Sequence, residues 1–131
     1  MISTRGRYAL RVLIDVAENS KDDYIPLNEI AARQNISEKY LESILAILTR
    51  GGILTSLRGK RGGYKLINSP EEYKIGEILK LTEGSLAPVA CLKCEQPNCQ
   101  NRASCKTLPL WKELNEHIEN YLNSKTLKDL L

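Results

Sequence analysis

The chain has no phenylalanine, and its 131 residues include one tryptophan, one methionine and one histidine. Without phenylalanine, the core must rest on Ile, Leu, Val and Tyr. The lone histidine, His117, sits in a helical stretch beside an apolar seam, so hydrolysis of the Ser/His/Asp kind has no foothold. The paired carboxylates Glu71 and Glu72 fall in a loop with nothing around them to support acid–base work. No enzyme is expected. No apolar run approaches membrane-spanning length, so no membrane partner is expected either. Met1-Ile2-Ser3-Thr4-Arg5-Gly6-Arg7 enters an amphipathic pattern directly, without an apolar leader, which makes the cytoplasm the expected location. A nucleotide-binding phosphate loop is not supported, because Gly52 and Gly59 are too far apart and Arg61, not Ser or Thr, follows Lys60. There are no internal repeats or low-complexity tracts, and no cysteine lies outside residues 91–105.

What charge there is lies unevenly. The formal net charge is only +3. Residues 1–66 hold 11 Lys/Arg against 7 Asp/Glu, a net of +4, whereas residues 67–131 hold 8 against 9, a net of −1. From Arg50 to Lys65 there are five basic residues and no acid. A local basic patch is the footprint expected of phosphate binding.

Periodicity places the elements. Tyr8, Ala9, Val12, Leu13, Val16 and Ala17 recur at helical spacing after a cap at Ser3 or Thr4, and this helix should close near Asn19-Ser20. Pro26 suits the first turn of a second helix carrying Leu27, Ile30 and Ala31, and Asn35 can adopt the left-handed conformation that ends it. Ser37 can cap a third helix, whose Leu41, Ile44, Leu45 and Leu48 form one apolar stripe. Two helices joined by Gln34-Asn35-Ile36-Ser37 match a helix-turn-helix. Two β-prone runs then flank the tip Arg58-Gly59-Lys60-Arg61-Gly62-Gly63, which makes a hairpin, and a hairpin in this position is a wing. A short helix through Ile75, Ile78 and Leu79 should close before Gly84. A final helix should start near Thr107, with Trp111, Leu114, Ile118 and Tyr121 as a heptad-like seam.

The third helix would place its N-terminal residues against base edges in the major groove. Ser37, Lys39, Tyr40, Glu42 and Ser43 occupy that end, and Arg50 shares the polar face. Lys39 suits guanine or a phosphate, and Glu42 can accept from cytosine N4. On the wing, Arg58 suits the minor groove while Lys60 and Arg61 hold phosphates. Arg5, Arg7 and Tyr8 open the first helix, where they could touch the DNA backbone beside the recognition helix or simply make a polar helix start. A solvated helix face and a solvated turn would carry similar charges; the helix-turn-helix and wing in succession are what point to DNA.

The cysteines read Cys91-x2-Cys94-x4-Cys99-x5-Cys105 among polar neighbours. Thiols gathered on one short polar stretch suit a metal or cluster, because thiolate is the ligand that zinc and iron–sulfur centres favour. The spacing is not that of a zinc ribbon, so it does not name the metal. A thiol or disulfide switch is the other reading.

Four stretches carry a resemblance. They are Ser3-Thr4-Arg5-Gly6-Arg7-Tyr8-Ala9, Ile36-Ser37-Glu38-Lys39-Tyr40-Leu41-Glu42, Leu57-Arg58-Gly59-Lys60-Arg61-Gly62-Gly63-Tyr64, and the tail from Leu110-Trp111 through Thr126-Leu127. Together they resemble the Rrf-two family of bacterial winged-helix transcription regulators, particularly its iron–sulfur-sensing, IscR-like branch. The resemblance implies a homodimer on a palindromic operator, a C-terminal helix as the dimer contact, and a [2Fe–2S] cluster held by the cysteine loop. Cys91, Cys99 and Cys105 match that branch's ligand pattern. The Cys91–Cys99 interval is longer than in the branch and contains Cys94, and Leu108 stands where the branch places a histidine ligand. Cys94 is therefore the obvious candidate for the fourth ligand, with a carboxylate or another residue from elsewhere in the chain as the alternative. Other members of the family lack the cluster and answer to a metabolic-enzyme partner in cysteine metabolism. The expected architecture is mainly α with a small β-hairpin. It has a winged helix-turn-helix over residues 1–84, a cysteine-rich sensor loop over 85–106 and a dimerisation helix over 107–131.

Overall fold

Ser3 starts the first helix. In the computed structural model, which describes residues 1–93 and 99–131, its hydroxyl accepts from the Gly6 N–H at the head of α1 (Thr4–Asn19). α1 buries Ala9, Val12, Leu13 and Val16 along one stripe. Pro26 is the residue before α2 (Leu27–Gln34) rather than part of its first turn. Asn35 is left-handed (φ 53°, ψ 51°) and closes α2 in a Schellman arrangement: the Ile36 N–H donates to the Ala31 carbonyl and the Asn35 N–H to that of Ala32. Ser37 then caps α3 (Glu38–Arg50) by accepting from the Tyr40 N–H at 3.2 Å. Ile36 just before that cap and Leu41 within the helix are both buried, a staple that fixes how the chain enters α3. Leu41, Ile44, Leu45 and Leu48 are fully buried, as their spacing predicts.

The wing is an antiparallel pair, β1 (Leu54–Leu57) and β2 (Gly63–Leu66), in the register Leu54↔Leu66 to Leu57↔Gly63. It is fastened to the helices at its base. The Ile25 N–H donates to the Tyr64 carbonyl and the Tyr64 N–H to the Ile25 carbonyl, each at 2.8 Å. Gly63 permits that approach, because a Cβ there would overlap the Ile25 carbonyl and lie 2.7 Å from Pro26 N. Tyr73 supports the same region from beneath: its hydroxyl donates to the Ile53 carbonyl and accepts from the Asn68 N–H.

α4 (Ile75–Glu83) closes before Gly84 and buries Ile75, Ile78 and Leu79 against α1 and α3. α5 (Leu108–Asn123) packs on α4 but has no fully buried residue. The helix does not run on to the end of the 107–131 segment. It stops at Asn123, and the chain turns back: the Ile75 N–H donates to the Lys125 carbonyl, the Leu127 N–H donates to that of Tyr73, and Leu127 is completely buried in the core. Burying one leucine is worth roughly 1.5–3 kcal/mol, so this tail is part of the reader's core and not a loose end. Between α4 and α5 the described residues form two short 3-10 turns, Ala90–Leu92 and Arg102–Ser104.

Candidate DNA-reading surface and cysteine arm

The polar face of α3 is open. Ser37, Lys39, Glu42, Ser43 and Arg50 are exposed, and Tyr40 is half-buried. Lys39 and Glu42 make no hydrogen bond or ion pair among the described residues, so both ends of that charge pair are free to meet an incoming edge. Ser43 donates to the Tyr40 carbonyl at 2.6 Å, which leaves its oxygen as an acceptor. The Arg50 Nε lies on the Ala46 carbonyl at 3.3 Å, folding that side chain back along α3. Tyr40 is drawn inward by Tyr8: the two rings meet edge-on, centroids 6.0 Å apart at 69°. Arg7 is exposed, with one guanidinium nitrogen on the Thr4 hydroxyl at 3.2 Å.

Arg58, Lys60 and Arg61 are exposed on the wing tip, and Gly59 takes a positive φ of 109° in the turn that carries them. A hollow along the wing, from its base to its tip, is lined by Leu27, Ser56, Arg58, Gly59, Gly62 and Tyr64. Lys65 lies over the Tyr24 ring at 4.8 Å, and sequence reasoning had not singled out this contact.

Behind the reader lies an ion pair with a buried acid that pattern reading also passed over. The Asp15 side chain is 2% exposed and takes both prongs of Arg33, with Nη2 at 2.7 Å and Nε at 3.0 Å. The Asp15 hydrogen bonds, followed by its charge, raise the Arg33 pKa above its ordinary value. The Gln34 amide nitrogen adds a third donor at 2.8 Å. A bidentate pair with its remaining lone pair satisfied is the form in which a buried carboxylate is tolerable.

The cysteine arm is organised around Arg102. Its N–H donates to the Cys99 carbonyl, its carbonyl accepts from the Cys105 N–H, and its guanidinium donates to the Cys91 carbonyl at 3.3 Å. One residue thus ties the backbones of three cysteines together. Cys91 and Cys105 are half-buried and Cys99 is exposed, all three as free thiols. Cys94 lies outside the described residues. Cys105 stands just ahead of α5, with its sulfur 3.3 Å from the Thr107 hydroxyl. Hydrogen bonds from that hydroxyl, and then from the backbone N–H groups of Thr107 and Leu108, hold its pKa below the usual thiol range. In chemistry this donor set fits a soft metal or an iron–sulfur cluster: soft sulfur ligands, one of them already biased toward thiolate. In arrangement, no three His, Cys, Asp or Glu side chains among the described residues gather around one point. His117 lies on the exposed surface of α5, 3.8 Å from Glu113.

A helix-turn-helix with an open polar recognition face, followed by a basic wing, defines a winged-helix DNA-binding transcription regulator. The chain belongs to the Rrf2 family, whose model, described as an iron-dependent transcriptional regulator, matches residues 2–131. It is 37% identical over 130 residues to the protein rrf2 of Nitratidesulfovibrio vulgaris, covering 99% of this chain and 86% of that one. Among solved structures it is similar to CymR, the global cysteine regulator of B. subtilis, with a TM-score of 0.79 at 35% identity, covering 99% of this chain and 95% of that one. It is also similar to T. potens IscR, with a TM-score of 0.74 at 33% identity, covering 99% and 85%.

Proposed function

We propose that this regulator senses iron–sulfur cluster status through its cysteine arm and reports it as a change in operator affinity. The observation that carries the reading is the position of the thiols: every cysteine in the chain falls between the reader and α5. Cys91, Cys99 and Cys105, with Cys94, would hold a [2Fe–2S] cluster, which supplies redox- and oxygen-sensitive chemistry when bound.

The chain acts as a homodimer on a palindromic operator. α5 offers the partner an apolar strip: Leu110 is 57% and Tyr121 63% exposed, and Leu114 joins them. α3 reads each half-site with Ser37, Lys39, Tyr40, Glu42 and Ser43, aided by Arg50 and Arg7, while Arg58, Lys60 and Arg61 grip flanking backbone and minor groove. Two-fold symmetry sets half-sites roughly 34 Å apart or a multiple of that. Closing the arm on a cluster shifts α5 relative to the reader. A coupling of about 1–3 kcal/mol changes DNA affinity roughly 5–150-fold, and operator DNA changes cluster affinity by the same factor.

The test is protein purified without oxygen, with its visible spectrum and its iron and sulfide content measured, beside Cys99→Ala. Wild type should be coloured and the variant colourless. Colour that survives in Cys99→Ala removes Cys99 from the ligand set. A second reading follows from the described thiols, which do not gather around one point, and from the likeness to CymR: a zinc or thiol–disulfide switch, or control by a metabolic-enzyme partner. Zinc in place of iron, or colourless protein that changes DNA affinity on oxidation, selects the switch. Capture of a metabolic enzyme without DNA selects the partner.

A further inference from the structure

Arg11 lies on the exposed side of α1, outside every motif that pointed to DNA. Its guanidinium is turned onto the last residue of α2 rather than into solvent. Nη2 donates to the Gln34 carbonyl at 2.7 Å and Nε to the Gln34 side-chain oxygen at 3.1 Å. The Gln34 amide is held from its other end by the buried Asp15, itself clamped by Arg33. The next residue, Asn35, is the left-handed pivot between α2 and α3. The Arg11 guanidinium also covers the Tyr8 ring at 5.0 Å, and Tyr8 meets Tyr40 in the first turn of α3. Arg11 therefore touches one side of the turn directly and the other through a single aromatic contact.

We propose that Arg11 is a positioning residue of the DNA reader: it fixes the angle at which α3 leaves the Gln34–Ser37 turn, and it is not itself a phosphate contact. The proposal rests on α3 being the reading helix. A planar fork suits this task, since one rigid group bonds two oxygens while stacking on a ring. Lysine keeps the charge but cannot do all three. Because these contacts are solvent-exposed, their contribution to folding is small. The Asp15–Arg33 pair, whose carboxylate is buried, belongs by contrast to the folded scaffold.

The experiment uses the full chain and a duplex selected by the wild-type protein from a random-sequence pool, with a scrambled duplex as reference. Affinities are measured across a salt series for wild type, Arg11→Ala, Arg11→Lys and Tyr8→Leu, alongside melting temperature. Each variant should lose roughly five- to tenfold in affinity for the selected duplex, the size of one such hydrogen bond transmitted to the reader. In the two Arg11 variants, affinity for the scrambled duplex, the salt slope and the melting temperature should stay at wild-type values. A lysine variant that binds normally, beside an alanine variant whose salt slope falls by about one, would make Arg11 a phosphate ligand and overturn the proposal. Normal specificity in both Arg11 variants would overturn it as well. So would a fall in melting temperature that accounts for all the lost binding. Lys39→Ala and Glu42→Ala run in parallel: if neither alters sequence preference, the α3 reading fails, whatever Arg11 does.

Discussion

Gly63→Ala tests whether the wing works as a fixed arm. Two hydrogen bonds, Ile25 N–H to Tyr64 and Tyr64 N–H to Ile25, hold its base, each 2.8 Å long. An alanine methyl at position 63 would overlap the Ile25 carbonyl, a backbone group that cannot rotate aside. Releasing the pair of hydrogen bonds costs about 1 kcal/mol each, roughly 2 kcal/mol in all, which is cheaper than keeping the overlap. The wing should therefore detach at its base while the helices stay folded, since Leu13, Ile44 and Leu48 lie away from the change and remain fully buried. Duplex DNA would then have to re-seat the wing on binding. Two kcal/mol corresponds to about a 30-fold loss of affinity, an upper bound reached when every wing contact needs the seated pose. The assay pairs fluorescence anisotropy on a labelled duplex with amide hydrogen exchange read residue by residue. The Ile25 and Tyr64 amides should lose protection and those of α3 should keep theirs. Retained protection at Ile25 and Tyr64 with unchanged affinity would refute the reasoning.

Three further outcomes follow. Arg58→Ala should weaken duplex binding and flatten its salt dependence, measured by anisotropy; unchanged affinity at physiological salt removes the wing tip from the interface. Glu42→Ala should relax base preference in a binding-site selection more than it lowers general affinity, because a carboxylate repels phosphates while it discriminates between bases. In metal-free protein retaining only Cys105, the pH profile of alkylation should have its midpoint below the usual thiol range. The Thr107 hydroxyl and backbone N–H groups favour the anion, so the reactive fraction is larger at any given pH below that range. Thr107→Val should move the midpoint up, and a profile that does not move assigns no role to the hydroxyl.

The reader was legible in the sequence because each signal acts over a few residues. Asn35 needs only its own backbone preference to turn left-handed, Ser37 needs only the N–H three residues on, and the stripe from Leu41 to Leu48 is a matter of period. The same locality explains what the sequence did not disclose. Asp15 and Arg33 are 18 residues apart, and nothing in a periodicity marks an acid on α1 as buried rather than solvated. Arg11 and Gln34 are 23 apart and read as two solvated side chains until the helices pack. Leu127 sits in a short run after a helix, and only tertiary contact with Tyr73 reveals it as core. In the cysteine arm, the closeness of the thiols could be read directly. Their orientation depends on Arg102 and on turns without period, so whether the thiols converge could not be inferred from spacing. The Rrf2 family assignment followed from the reader motifs and holds over nearly the whole chain.

The return of the tail has a consequence for any attempt to dissect the molecule. A protease that nicks the polypeptide between Cys99 and Lys106 severs the covalent link to α5, but Leu127 remains plugged beneath Tyr73 and the Lys125 and Leu127 pairings hold. The two pieces should co-migrate on a native gel and part only in denaturant. Cysteine arms therefore cannot be traded between relatives as cassettes ending at α5. A working graft must bring along, or rebuild, the plug that completes its host's interior.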